Sequence, residues 1–299
     1  MLKMEKERKK SKKTLIAVSG GPDSMFLLNK YKNKKNILVA TVNYNQREDS
    51  ELDFKIVKVF CQKYNIPFFC LELKKSDYLK GNFQNWAREQ RYTFLKKIYK
   101  ENNCNVLLTG HNLDDFLETA IFQKNTKRKV EYYGIKKISN YKNMVIKRPL
   151  LFKYFKNTIL KKVIKQRIPF NIDYTNEIPK YTRNKIRLEN NVKWKSKKIF
   201  ILSYFIFQNQ KLKFKNYKIN KEYKIWEKHD FSQDIFIKLK NKKSLVYKFV
   251  NSNYDKIKIS NNKIDSIINF ITAQKRTNSY KLNNEFFLKK EKGNLIKIK

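Results

Sequence analysis

The sequence predicts an α/β fold: a parallel sheet flanked by helices, followed by a smaller, mainly helical, basic C-terminal domain. Two observations carry this. Up to about residue 110, short apolar runs alternate with stretches patterned as helices. Near residue 190 that punctuation stops: all five prolines lie at or before Pro179, and after Gly134 the sole glycine is Gly293. Strands that are apolar along their whole length need cover on both faces, and alternating helices supply it.

In chain order, a basic arm (1–13) leads into the strand-like run LIAVS at 15–19. Further strand-like runs are ILVATVNY (37–44), FFCLEL (68–73) and VLLTG (106–110). The intervening stretches 24–32, 51–65 and 85–101 read as helices, and another helix is expected from about Asn112. In open sheets of this type ligands gather at the carboxyl ends of the strands. Those ends carry Ser19-Gly20-Gly21, Asn43 to Arg47 and Thr109-Gly110-His111, which are expected around one crevice. The catalytic domain is therefore placed at 14–190 and a C-terminal region, expected to bind RNA, at 191–299. The latter reads as helices with a β-like end, YKLNNEFFLKKEKGNLIKI.

A net charge of +43 points to a polyanionic partner, nucleic acid or an anionic membrane surface. The charge comes from 59 lysines and ten arginines, beside abundant Ile and Asn. That bias resembles AT-rich codon usage, so charge by itself is discounted. The arginines outside the lysine runs gain weight in return: Arg47, Arg88, Arg91, Arg148, Arg183 and Arg187. A guanidinium fork binds phosphate or carboxylate through two donors, which an ammonium cannot do. Cys61, Cys70 and Cys104 form no CxxC pair and have no zinc-type spacing, so they read as buried thiols. The basic start meets too short an apolar stretch for a signal peptide, and the longest later run, 199–207, is half a membrane span. A cytoplasmic protein is expected.

The stretch LIAVSGGPDS (15–24) reads as strand, turn and helix start. Bare backbone amides and a helix N-terminus converge there on one concavity suited to an anion. A Walker-type loop would need Lys-Ser or Lys-Thr after its glycines, and here Pro22-Asp23-Ser24 follow, so a P-loop NTPase is excluded. Gly20 and Gly21 let backbone approach phosphate oxygens, and Ser19 and Ser24 offer hydroxyl donors. Asp23 would repel phosphate without a cation and so points to Mg²⁺.

Three further clusters follow. In TGHNLDDFLET (109–119), Asp115 and Glu118 lie three apart on one helix face, able to hold a metal or act as a base. Asp114 suits a helix N-terminus through the dipole alone. In GNFQNWAREQRY (81–92), Arg88 or Arg91 can face an anionic substrate. In DYTNEIPKYTRNKIR (173–187), downstream of RPLL at 148–151, Arg183 and Arg187 stand one helical turn apart and can clamp phosphate or carboxylate.

SGGPDS resembles the pyrophosphate-binding loop of the N-type ATP pyrophosphatases, the PP-loop superfamily, whose fold is adenine nucleotide alpha hydrolase-like. The series SGGPDS, GN-Q-AR-RY, HNLDDFLET, RPLL and DYTN…TRNKIR occurs in the order found in the tRNA(Ile)-lysidine synthetase family. The match covers most of 14–190, and the tail IDSIINFITAQKRTNSYKL is similar to that family's C-terminal segment. The resemblance implies an ATP- and Mg²⁺-dependent ligase that adenylates the C2 oxygen of the wobble cytidine in the CAU anticodon of tRNA(Ile). The ε-amine of free lysine then displaces AMP, giving lysidine and switching codon reading from AUG to AUA. Carried onto this chain, Ser19, Gly20, Gly21, Pro22, Asp23 and Ser24 bind ATP. Asp115 and Glu118 are the carboxylates near lysine, metal or the reacting centre, with Asp23 and Asp115 as Mg²⁺ ligands, and Arg88 and Arg183 stabilise anionic groups. The family's usual two histidines and glutamine in the second cluster are here His111-Asn112 and Phe116. Two alternatives stand beside this: a tRNA thiolase of the same superfamily, and a non-catalytic RNA-binding protein whose basic C-terminal stretch KLKFKNYKINKEYKIW interleaves aromatic rings with lysines.

Overall fold

The structure, a computed structural model, describes residues 12–45, 50–78, 80–126, 130–171, 195–254, 257 and 259–296. The chain divides into two compact units, Met1–Ile206 and Phe207–Lys299. The boundary expected near residue 190 falls within 172–194, outside the described residues.

In the first unit, β1 (Lys13–Ala17), β2 (Ile37–Asn43), β3 (Phe68–Glu72), β4 (Cys104–Leu108), β5 (Ile138–Tyr141) and β6 (Met144–Lys147) form one sheet in the order β3-β2-β1-β4-β6-β5. Every neighbouring pair is parallel except β5–β6. The helices are α1 (Pro22–Tyr31), α2 (Ser50–Lys63), α3 (Phe83–Glu101), α4 (Leu113–Asn125) and α5 (Lys156–Lys165). The expected parallel sheet is present. The order of strands reverses direction of growth at β1, so the crevice between the ends of β1 and β4 is the switch point at which such sheets bind ligands.

Strict alternation sorts the apolar strands onto two faces. Ile16, Ile37 and Val39 pack with α1, α2 and α5 through Leu27, Phe60, Cys61, Ile159 and Val163. Leu15, Leu38 and Ala40 face the other way, against Tyr92, Leu95 and Ile98 of α3. Burial on both sides explains why these runs carry no polar alternation in the sequence. A third cluster joins Leu113, Phe116 and Leu117 of α4 to Leu151 and to Phe205 of α6 (Lys195–Lys228).

The second unit contains the later part of α6, then α7 (Gln233–Lys238), α8 (Lys242–Asn253) and α9 (Asn261–Thr272). A three-stranded antiparallel sheet of β7 (Asn278–Lys281), β8 (Phe287–Glu291) and β9 (Asn294–Ile296) completes it. Its core centres on the fully buried Trp226, ringed by Phe231, Phe236 and Phe249. The Trp226 indole N–H donates to the carbonyl of Ser232 at 3.0 Å. Lys290, 1% exposed, directs its ammonium at the end of α9, donating to the carbonyls of Phe270, Ile271 and Ala273. Among the described residues no helix is long and apolar enough to cross a membrane.

Candidate active site

The loop after β1 is shaped by glycine for two separate reasons. Gly20 holds φ at +80°, in the left-handed region. A Cβ there would also lie 2.8–2.9 Å from the side chain and Cα of Asp53 on α2. No other residue meets both conditions cheaply. Gly21 is the N-cap of α1 and Pro22 its first residue, and no side chain caps the helix. A helix entered this way keeps its positive end for an external anion.

Ser24 holds the loop from within. Its hydroxyl accepts the Ser19 amide at 3.1 Å and donates to the Gly21 carbonyl at 2.9 Å. Its one hydroxyl proton is thus engaged within the loop. Ser19 is exposed, its Oγ 3.3 Å from that of Ser24. From the far side the Asn171 amide donates to the Gly20 carbonyl at 3.1 Å. The Asn171 side-chain Nδ2 is buried beside this loop with no hydrogen-bond partner among the described residues. A buried donor in that condition fits a site completed by phosphate oxygens.

The end of β4 abuts this loop directly. A Cβ on Gly110 would lie 3.1 Å from the Asp23 carbonyl carbon and from N and Cα of Ser24. The two motifs that the sequence placed around one crevice are thus in backbone contact. Thr109 and His111 bond through Oγ1 and Nδ1 at 2.9 Å. Asn112, 1% exposed, then caps α4 in a reciprocal box: its Oδ1 accepts the Asp115 amide, and its own amide donates to Asp115 Oδ2. The cap fixes the Asp115 carboxylate at the mouth of the helix, and Glu118, half-buried, follows three residues on. Asp114 points elsewhere. It accepts the Lys156 amide at 2.7 Å and pairs with Lys198 at 2.6 Å, fastening the starts of α4, α5 and α6.

On the α3 side, the Arg88 guanidinium lies over the rings of Tyr92 (4.7 Å) and Tyr141 (5.6 Å). Arg91 sits 5.5 Å from the Tyr92 ring centre. Arg183, Arg187 and Arg47 lie outside the described residues. Two contacts of the site escaped the sequence: Asp53 against Gly20, and Asn171 against the same glycine. Asn171 sits in the run IPFNI with nothing in its surroundings to mark it.

Among the described residues no group of three or more His, Cys, Asp or Glu side chains could hold a metal ion by itself. Asp23, in the first turn of α1, fits instead the usual magnesium arrangement, in which one or two carboxylates share the ion with substrate phosphates. The thiols are unsuited to nucleophilic work: burial pushes Cys61 up to about 12 and Cys70 up to about 11, and raises Cys104 as well.

The PP-loop domain family matches residues 1–192. The chain is 39% identical over 295 residues to the tRNA(Ile)-lysidine synthase of Mesomycoplasma hyopneumoniae strain 232, covering 98% of each protein. It is 42% identical over 291 residues to that of Mycoplasmopsis pulmonis strain UAB CTIP, covering 95% of this chain and 98% of that one. Among solved structures, the U34-tRNA thiolase NcsA from Methanococcus maripaludis matches with a TM-score of 0.51 over 67% of this chain and 72% of that one. At 18% identity this last likeness is one of fold.

Proposed function

The chain belongs to the tRNA(Ile)-lysidine synthase family, and from that premise we infer that it modifies the wobble cytidine of tRNA(Ile), using ATP to join lysine to C2. The full-length similarity to relatives of that name carries the reading. The backbone contact of the SGGPDS loop with Gly110, just before the HNLDDFLET segment, supports it, because activation and transfer need adjoining sites.

The C2 oxygen of cytidine attacks the α-phosphorus of ATP, the α–β bond breaks, and diphosphate leaves. The lysine ε-amine, having lost its proton, then attacks C2, and AMP departs with the oxygen. Each transfer places negative charge where this chain offers donors. The amides of Gly20, Gly21 and the first turn of α1, the Ser19 hydroxyl and Asn171 Nδ2 receive the departing diphosphate. Asp23 would hold Mg²⁺ together with phosphate oxygens, supplying charge neutralisation. Asp115 and Glu118 bind the ammonium, and Asp115 takes its proton. One oxygen of Asp115 is held by the Asn112 amide, so its carboxylate is oriented before substrate arrives. Arg88 and Arg183 serve anionic groups of the substrates.

The alternatives lose ground on the same residues. A thiolase reading needs a sulfur-carrying cysteine, and the three thiols are buried at least in part and held protonated. A vestigial site has no reason to retain Gly20 under both steric and torsional constraint. Nucleoside analysis of a tRNA(Ile) transcript after incubation with ATP and labelled lysine tests the function. Lysidine at the wobble position is expected, with one diphosphate released per modification. A chain that never releases diphosphate overturns the reading.

A further inference from the structure

Among the described residues, two guanidiniums on the α3 face of the sheet have no acid. Arg148, just past β6, is only 7% exposed. Its Nη1 donates to the Lys136 carbonyl at 2.8 Å and to Ser139 Oγ at 2.9 Å, while its buried Nε has no hydrogen-bond partner among the described residues. Arg88 is exposed, its guanidinium carbon 4.7 Å from the Tyr92 ring centre and 5.6 Å from that of Tyr141. Its neighbour on α3, Glu89, is taken by Lys142 and offers it nothing. Burial and the Arg88 charge both push the Arg148 guanidinium below its ordinary range, with Tyr92 acting in the opposite sense. Arg148 reaches Ser139 and Arg88 lies over Tyr141, two residues apart on β5, so both guanidiniums serve one face of that strand. A desolvated cation near a second cation is costly until an anion joins them.

The position suits one anion in particular. Lys147, preceding Arg148, accepts the Thr109 amide at 3.1 Å, which sets Arg148 level with the end of β4. From that end the chain enters α4, with Asp115 and Glu118 on its first turns. The phosphate loop flanks β4 on the β1 side and Arg148 on the β6 side. A zwitterionic amino acid, its ammonium at the acids of α4, presents its opposite charge toward the arginines. Resting on the lysidine reading, we propose that Arg148 and Arg88 together bind the α-carboxylate of the lysine substrate. The planar fork of Arg88, held by two rings, pairs with a carboxylate as an ammonium would not.

The test compares lysine with lysinamide, which keeps the side chain and lacks the carboxylate charge, in full-length Arg148→Met and Arg88→Met proteins with transcript and ATP. Loss of a charge-assisted hydrogen bond lowers kcat/KM for lysine by about 10- to 100-fold, through KM. The ratio of kcat/KM for lysine to that for lysinamide falls by the same factor in each variant, whatever happens to diphosphate release. Arg88, exposed and without hydrogen bonds to other described residues, is the variant certain to test binding apart from folding, because Arg148 also braces the 136–139 segment. Equal losses for both amines overturn the proposal in favour of bracing. A raised KM for tRNA with that for lysine unchanged overturns it in favour of an RNA phosphate. A parent protein that releases no diphosphate at all sinks the lysidine reading itself, and this inference with it.

Discussion

Asn112 and Asp115 hold each other twice: the Asn112 amide donates to Asp115 Oδ2 at 2.8 Å, and the Asp115 amide donates to Asn112 Oδ1 at 3.1 Å. An asparagine at 115 still offers an oxygen to the first of these bonds, so Asp115→Asn keeps the fold. It cannot accept a proton from lysine. The expected outcome is diphosphate release near the parent rate with lysine transfer reduced by about 100-fold or more. Single-turnover measurement of both products checks it, and transfer at the normal rate would remove Asp115 from the role of base.

Gly20→Ala combines a positive φ with a methyl group driven into Asp53. The torsion alone costs about 1–3 kcal/mol. Moving α2 to make room also disturbs the loop, so both the melting temperature and ATP-dependent diphosphate release fall. Calorimetry beside the release assay separates the two losses.

Cys61 is fully buried, and burial raises its pKa to about 12. In the unfolded chain a thiol ionises near 8.5. The folded state therefore keeps its proton where the unfolded state releases one, and stability present below pH about 8.5 is lost as pH climbs toward 12. The slope for one proton is about 1.4 kcal/mol per pH unit. Urea unfolding between pH 8 and about 10.5 shows this decline, and Cys61→Ala removes its share of it.

In the second unit, Lys290→Met leaves the Phe270 and Ile271 carbonyls without this donor, while that of Ala273 keeps the Gln233 side-chain amide. Unmet buried acceptors cost about 1–3 kcal/mol each before relaxation, so a loss of about 2–3 kcal/mol is expected. Hydrogen exchange reads it as faster opening of α9 and β8, with β1 and β4 unaffected. Uniform exchange throughout the chain would contradict a local role.

Four parallel strands and their helices were legible because their apolar runs end in small-residue loops. The β5–β6 hairpin was not. Its strands are four residues long, and its turn uses Lys142 and Asn143, both at positive φ, instead of the Asn-Gly pair that advertises such turns. Within the site, the glycines and the acids of α4 could be read directly, since spacing and residue type carry their meaning. The engagement of Asp114 with Lys198, 84 residues away, could not, nor could the inward hydroxyl of Ser24. Those depend on how the chain closes on itself, which local pattern does not encode.

A Cβ on Gly110 would crowd the backbone of Asp23 and Ser24 at 3.1 Å, pressing β4 against the start of α1. On the proposed lysidine chemistry, the floor beneath the nucleotide and the floor beneath the incoming amine would be a single slab. On that proposal a substitution that tilts one would tilt the other, coupling the choice of amino acid to the hold on the activated phosphate.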